Sequence, residues 1–453
     1  MKKNKDYFFR DPRNMILRFL ISAAVLLSSC SVQIYDLQPV IPTVATATPY
    51  RTATQFVRKQ TTPRSDVTKT PPIHIAPTSI TAMTAVNILD LVMVNGGTGW
   101  AVGQVPGGTD KLILRTADGG TNWKNVTPPD AIYANTGKNM DVSTYFLDAH
   151  QAWVLFWETD AGKPGNGVTL WRTTTGGDTW DSAEIPTDGY SLQYFRDVQI
   201  GFADPDIGWI FVKLGKTDER EFIGIFTTHN GGADWEVKVT SDSANLQSMG
   251  EKNGVVFRNA LYGWVTGSNT RTSPGAMLWE TTDGGNTWAL NTLPNPDGED
   301  VPEDLLTNAD NRCSLSVPKF VDFQLQYMYM KLNCTIASGN TEKSWIYWSY
   351  DAGATWRTFA LPKAQGNLTF YGIYQGWYSV AADPGATSAY EILYTEDGGS
   401  TWTSISQTAW DSRLKFITAA VGWGIVTYQG QQALVHTEDG GYSWTQIFPM
   451  VTP

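Results

Sequence analysis

An all-β fold is predicted, a seven-bladed β-propeller of four-stranded antiparallel blades, and three observations predict it. An eight-residue pattern ending in tryptophan recurs seven times along 453 residues. A second landmark, most often Gly-Trp, stands 21 to 28 residues ahead of each copy. The composition, with 19 Trp, 19 Tyr, 18 Phe and 42 Gly against 17% charged residues, suits short aromatic strands between tight turns and disfavours long amphipathic helices.

The first element is a leader. Lys2, Lys3, Lys5, Arg10, Arg13 and Arg18 precede the apolar run Phe19 to Leu27. Nine apolar residues are too few to cross about 30 Å of hydrocarbon as a permanent helix, so residues 1–29 read as a secretory signal that is removed. Leu27-Ser28-Ser29-Cys30 resembles the bacterial lipobox. That resemblance implies cleavage before Cys30, its acylation, and an extracytoplasmic protein anchored by lipid to a bacterial membrane. Residues 30–81, rich in Thr and Pro, lack the apolar periodicity that would offset the entropy of ordering them and read as a disordered tether. With Cys30 taken by lipid, Cys313 and Cys334 are left as a candidate disulfide in an oxidising compartment, the alternative being two buried free thiols. A bridge would close a loop of about 20 residues and stabilise by roughly 3 kcal/mol on chain-entropy grounds.

Residues 82–453 carry the repeats. The copies are TADGGTNW ending at Trp123, TTTGGDTW at Trp180, THNGGADW at Trp235, TTDGGNTW at Trp288, SYDAGATW at Trp356, TEDGGSTW at Trp402 and TEDGGYSW at Trp444. The preceding landmarks are Gly99-Trp100, Ala152-Trp153, Gly208-Trp209, Gly263-Trp264, Gly376-Trp377 and Gly422-Trp423, with Tyr327-Met328 in the drifted fifth unit. An apolar run such as ILDLVMV or LKFITAAV comes before each landmark. Each unit thus holds four strand candidates in fixed order: the apolar run, the Gly-Trp strand, the strand entering the glycine turn, and the strand starting at the last Trp. Seven such units describe a seven-bladed propeller.

The turn explains its own residues. Two glycines supply backbone angles that other residues resist, a carboxylate accepts amides of its own turn, and the Trp buries a large face. Asp118, Asp283, Asp351, Asp397 and Asp439 fill the acidic position, with Thr175 and Asn230 in the second and third units. Both replacements still accept a hydrogen bond, whereas a metal ligand or catalytic carboxylate would not be exchanged so freely; the position reads as structural.

The S/T-x-D-G-G-x-T-W pattern matches the Asp-box, or BNR repeat, of sialidases, sortilin ectodomains and xyloglucan-cleaving endoglucanases. Combined with a Gly-Trp strand in each unit, it most resembles the photosystem II stability/assembly-factor family and its non-photosynthetic bacterial relatives. The resemblance covers residues 85 to 450 and implies a propeller with an Asp-box between strands three and four of each blade. For function it implies a non-enzymatic module that binds a protein partner, as an assembly factor does, at the membrane surface.

Chemistry offers little beside this. Residues 1–80 hold 11 Lys+Arg and 4 Asp+Glu, leaving 22 and 40 for the rest, a balance of −18 that disfavours nucleic acid. His74, His150, His229 and His436 are scattered, and no zinc spacing, Gly-x-Ser-x-Gly elbow or phosphate loop occurs, so no metal, cofactor or catalytic residue is assigned. The acidic run Asp297, Glu299, Asp300, Glu303 and Asp304 lacks the alternation of an EF-hand loop and reads as a solvated loop. The Arg-Ile-Pro segment of sialidases is missing. If the chain is an enzyme, glycoside hydrolysis is the expected reaction; it would need two carboxylates, with Glu158 and Asp411 as candidates.

Strand alternation sends the glycine turns to one face and the irregular links to the other, where binding is expected. Trp157, Glu158, Arg220, Arg271, Trp410, Asp411 and Arg413 are the candidates there, because aromatic and arginine side chains dominate interface energetics. The alternative to a protein partner is a glycan, bound or hydrolysed, since many Trp can stack on sugar rings. How the ring closes is not legible, because no strand visibly passes between the first and last units.

Overall fold

The computed structural model describes residues 83–128, 140–158, 168–186, 196–217, 220–241, 243, 245–248, 250–275, 277–298, 300–383 and 385–452. The leader, Cys30 and the tether lie outside the described residues, as do Glu299 and the side chain of Glu158. Among the described residues the fold is all-β, without a helix, and most of its sheets are four-stranded and antiparallel, as in a propeller.

Four sheets have four strands each, paired in sequence order. They comprise Met140–Phe146 through Asp181–Glu184, Arg196–Phe202 through Glu236–Val239, Asn367–Tyr371 through Thr403–Thr408, and Asp411–Phe416 through Thr445–Ile447. Two sheets depart from this plan. The strands Glu251–Phe257 to Ala289–Leu290 and Lys319–Phe320 to Arg357–Ala360 belong to one nine-stranded sheet. Its link is an extra strand, Arg312–Leu315, which pairs Ser314 with Ser268 on one side and Cys313 with Cys334 on the other. The last pair is also a disulfide, with Cα atoms 4.1 Å apart. The sequence placed this strand in an irregular link, because four residues bounded by polar turns are too short to show a period.

The first sheet has six strands. After Asn87–Met93, Gly99–Gln104, Leu112–Thr116 and Asn122–Asn125, the C-terminal strand Met450–Thr452 adds in parallel, setting Val451 against Trp123. Thr84–Ala85 then pairs outside it. The two ends of the described chain therefore complete one sheet.

One packing unit repeats between sheets. The aromatic residue closing the first strand sits opposite the glycine of the Gly-Trp strand, as in the pairs Phe257–Gly263 and Phe416–Gly422. A Cβ at Gly422 would come within 2.6 Å of the Phe416 ring, so that position has no room for a side chain. The same Phe416 ring stacks on Trp377 of the preceding sheet, with centroids 3.5 Å apart; Phe202 meets Trp153 in the same way at 3.8 Å. Several of these Trp N–H groups bond to the following unit: Trp153 donates to Gly231 O (2.8 Å), Trp377 to Gly440 O (2.7 Å) and Trp423 to Gly119 O (3.0 Å). That last bond joins the final sheet to the first.

The glycine turns are self-contained. At Asp439, Oδ1 accepts the Ser443 amide (2.9 Å), Oδ2 accepts the Ser443 hydroxyl (2.6 Å), and the Thr437 hydroxyl donates to Oδ1 (2.8 Å). The Ser443 hydroxyl and amide hold the Asp439 carboxyl down at about 2. Thr175 and Asn230 accept the equivalent amides through neutral oxygens, at 2.9 and 3.0 Å from Thr179 and Asp234. In each repeat the next amide ties this turn to the turn between the first two strands, as Gly119 N–H does to Gly97 O and Gly440 N–H to Ala420 O, both at 2.8 Å.

Candidate functional site

Four sheets border one cavity of about 320 Å³. The first strands of three of them, Asn87–Met93, Asn367–Tyr371 and Asp411–Phe416, contribute Asp90, Asn367, Arg413 and Lys415; the nine-stranded sheet contributes Lys319 and Lys331. Alternation along Asp411–Phe416 places Arg413 and Lys415 on the same side of the strand, while Leu414 between them is buried. Tyr329 and Trp423 supply aromatic edges, and Ser316 and Thr369 supply hydroxyls.

The charges are unequally partnered. Lys415 Nζ lies 2.9 Å from Asp90 Oδ1. Arg413 donates through Nη2 to Leu89 O at 2.7 Å, crossing from the last sheet to the first. Lys331 Nζ donates to Gly366 O at 3.0 Å and lies 5.0 Å from the Tyr378 ring centroid. Among the described residues, no carboxylate pairs with the ammonium of Lys319 or Lys331. Burial pushes Lys331 down to about 8. Burial, together with the charge of Lys415, also lowers Lys319, although its side chain stays open to solvent. Protein surrounds a water-accessible space here, so solvation is poorer than the exposure of Lys319 alone would suggest. Four cations and one carboxylate leave the lining with a formal surplus of three positive charges, inside a region whose balance is −18.

A second cavity, of about 360 Å³, runs beside Asp297, Gly298, Asp300 and Val301 and the segments 342–345 and 360–364. Its lysines and Glu342 have partners close by. Lys343 donates to Asp300 O at 3.2 Å, Lys363 lies 3.7 Å from Glu391, and Gln365 donates to Glu342 at 2.9 Å. No group of three or more His, Cys, Asp or Glu is placed to hold a metal ion among the described residues.

The binding residues read from the sequence are dispersed. Arg413 lines the cationic cavity, and Asp411 accepts from Asn367 Nδ2 at 3.4 Å at its margin. Trp410 is half-buried, with its ring 6.2 Å from that of Trp444. Trp157 is 7% exposed and packs in the core between the second and third sheets. Glu158 ends the same strand. Arg220 forms an isolated parallel bridge with Gly250 just before the strand Glu221–Thr228 and is exposed, while Arg271 stands 3.7 Å from Asp310 on an exposed turn. Neither of these arginines lines the cavity. Asp90, Lys319, Lys331 and Lys415 were missed. The Arg413/Lys415 alternation was a readable signal, but Lys319 and Lys331 come from separate strands and only the fold brings them together.

No family model matches the chain, and no curated protein matches it. Among solved structures it is similar to the GH74 enzyme of Niastella koreensis, at 11% identity over 81% of this chain and 73% of that one, with a TM-score of 0.34. It is similar to an ulvan lyase of polysaccharide lyase family PL25, at 9% identity over 81% and 94%, with a TM-score of 0.46. A third is the α-L-arabinanase of Penicillium chrysogenum, at 13% identity over 69% and 96%, with a TM-score of 0.39. The structures named are glycan-degrading enzymes. They correct the expectation of a non-enzymatic, assembly-factor-like module built to bind a protein partner, which is not carried further.

Proposed function

We propose that this chain is a glycan-binding β-propeller of seven blades, held outside the cytoplasm by a lipid on Cys30, with the cationic cavity as its binding site. The carrying observation is that cavity. At about 320 Å³ it lies in the small-ligand range, and it offers Asn, Ser and Thr hydrogen-bonding groups to a hydroxylated ring. The seven-blade count rests on the seven repeats, with the fourth and fifth units fused through Arg312–Leu315 and the Trp423–Gly119 bond closing the ring. The self-contained turns at Asp118, Asp283, Asp351, Asp397 and Asp439 support reading them as Asp-boxes, with Thr175 and Asn230 as neutral equivalents.

Binding rather than cleavage is the reading the geometry supports. Hydrolysis of a glycosidic bond by the two-carboxylate route needs an acid and a second carboxyl flanking it; here Asp90 is paired with Lys415, and Asp411 stands at the cavity margin, accepting from Asn367, rather than in the lining. The test is a glycan array probed with the full-length chain in detergent. A defined class of saccharide should bind, and Asn367→Ala should weaken that binding. A blank array, or binding that ignores Asn367, would reject the reading.

A further inference from the structure

We infer that the ligand carries a single oxyanion on its sugar ring, a uronate carboxylate or a sulfate ester, seated between Lys319 and Lys331. This rests on the glycan reading above and names its substrate class. The argument begins with which charges are still available. Lys415 faces Asp90, while Arg413 and Lys331 each give one N–H to a backbone carbonyl and keep their charge. The positive surplus therefore resides on Arg413, Lys319 and Lys331, of which the two lysines share the strand pair Lys319–Phe320 and Met328–Ile336.

Cations kept in poor solvent without a counter-charge are unfavourable, and a bound anion removes that penalty. Lys331, half-buried, pays it here, while Lys319 stays open to solvent at the same cavity. Lys331 spends one of its three protons on Gly366 O, leaving donors for an incoming oxygen. The cavity walls then supply Ser316, Asn367 and Thr369 for the hydroxyls of the same ring. The surrounding balance of −18 opposes a polymer with a charge on every unit, whether nucleic acid or a densely sulfated chain, because most of its charges would lie outside the pocket. One charged sugar within a weakly charged chain fits both the local surplus and the global repulsion.

The experiment is calorimetric titration of the full-length chain with four probes: glucuronate, glucose 6-sulfate, glucose and inorganic sulfate. Glucuronate or glucose 6-sulfate should bind at least tenfold more tightly than glucose or inorganic sulfate. Lys319→Met and Lys331→Met should each cost about tenfold, whereas Lys319→Arg, which keeps the charge, should retain most of the affinity. Lys343→Met, in the second cavity, should change nothing. Whichever of the two charged sugars binds identifies the source of the oxyanion. Equal binding of glucose and glucuronate, or indifference to both lysine substitutions, would overturn the inference and leave the glycan reading intact. Inorganic sulfate binding as tightly as either charged sugar would overturn it as an adventitious ion only. No saccharide binding at all would remove both. Should Lys331→Met fail to fold, Lys319→Met and Lys319→Arg decide alone.

Discussion

The indole N–H of Trp423 donates to the carbonyl of Gly119 at 3.0 Å, joining the last sheet to the first across 304 residues. Around it, Trp423, Ile425 and Leu434 share one buried cluster with Leu91, Leu114, Trp123 and Val451. Trp423→Ala should therefore open the contact between the two sheets and destabilise by about 3–5 kcal/mol, as large core truncations do. Trp423→Phe, which keeps most of the packing but orphans the carbonyl, should cost roughly 1–3 kcal/mol. Urea denaturation of the two variants checks the order.

Ala352 replaces the first glycine of the turn in the fifth repeat and is held at φ 56°, where its counterparts Gly119, Gly284 and Gly398 stand at 76°, 74° and 74°. A Cβ disfavours that conformation by roughly 1–2 kcal/mol, more than the extra chain entropy glycine would lose on folding. Ala352→Gly should therefore stabilise by about 0.5 kcal/mol. A downward shift of the urea midpoint would contradict the turn geometry.

Asp439 gives a pH signature. Its carboxyl is held below the ordinary aspartate range, at about 2, by the Ser443 hydroxyl and amide, so its stabilising contribution is complete above about pH 4 and is lost as pH falls towards 2. Asp439→Asn should be nearly neutral in stability, because Asn230 performs this task in the third repeat. It should also flatten the acid side of the stability profile. Asp439→Ala should lower the melting temperature at pH 7 by a few degrees at most. Thermal unfolding between pH 2 and 7 separates the three proteins.

Lys331 sets opposite trends for stability and binding. Burial depresses it to about 8, below the unfolded value near 10.4, so the unfolded chain holds more protons between those limits and this lysine's share of stability rises with pH across that window. Binding of an oxyanion needs the ammonium and should weaken over the same range. Affinity measured at pH 7 and pH 9.5 should fall at the higher pH, and Lys331→Met should remove much of that dependence.

The disulfide between Cys313 and Cys334 encloses a separation of 21 residues. Replacing both cysteines by alanine should cost roughly 3 kcal/mol on the loop-entropy model, measured by urea unfolding with and without reductant. The wild-type chain should move towards the double variant on reduction, and the variant should not respond.

Repetition made the scaffold legible. A Trp that recurs behind a glycine turn, and a Gly-Trp pair that recurs ahead of it, report local structure that most units repeat. What escaped notice was the single-copy structure. Met450–Thr452 and Arg312–Leu315 are too short for periodicity, and their partners lie far away in sequence. The cavity was harder still. Lys319, Lys331 and Lys415 look like ordinary surface lysines until three strands converge, and only Arg413 had been singled out. Trp157 shows the converse: an aromatic residue at the end of a strand reads as an exposed anchor, yet it packs inside because the neighbouring sheet covers it.

The pairing of the C-terminal strand with the first sheet has a consequence for biogenesis. Thr452 reaches Trp123 across 329 residues, so the earliest sheet to leave a ribosome or export channel is the last to be finished. Until those closing residues emerge, Asn122–Asn125 presents an unpaired edge, the kind of surface that invites intermolecular strand addition. A nascent chain stalled short of residue 450 would carry nearly every repeat and still be poised to aggregate.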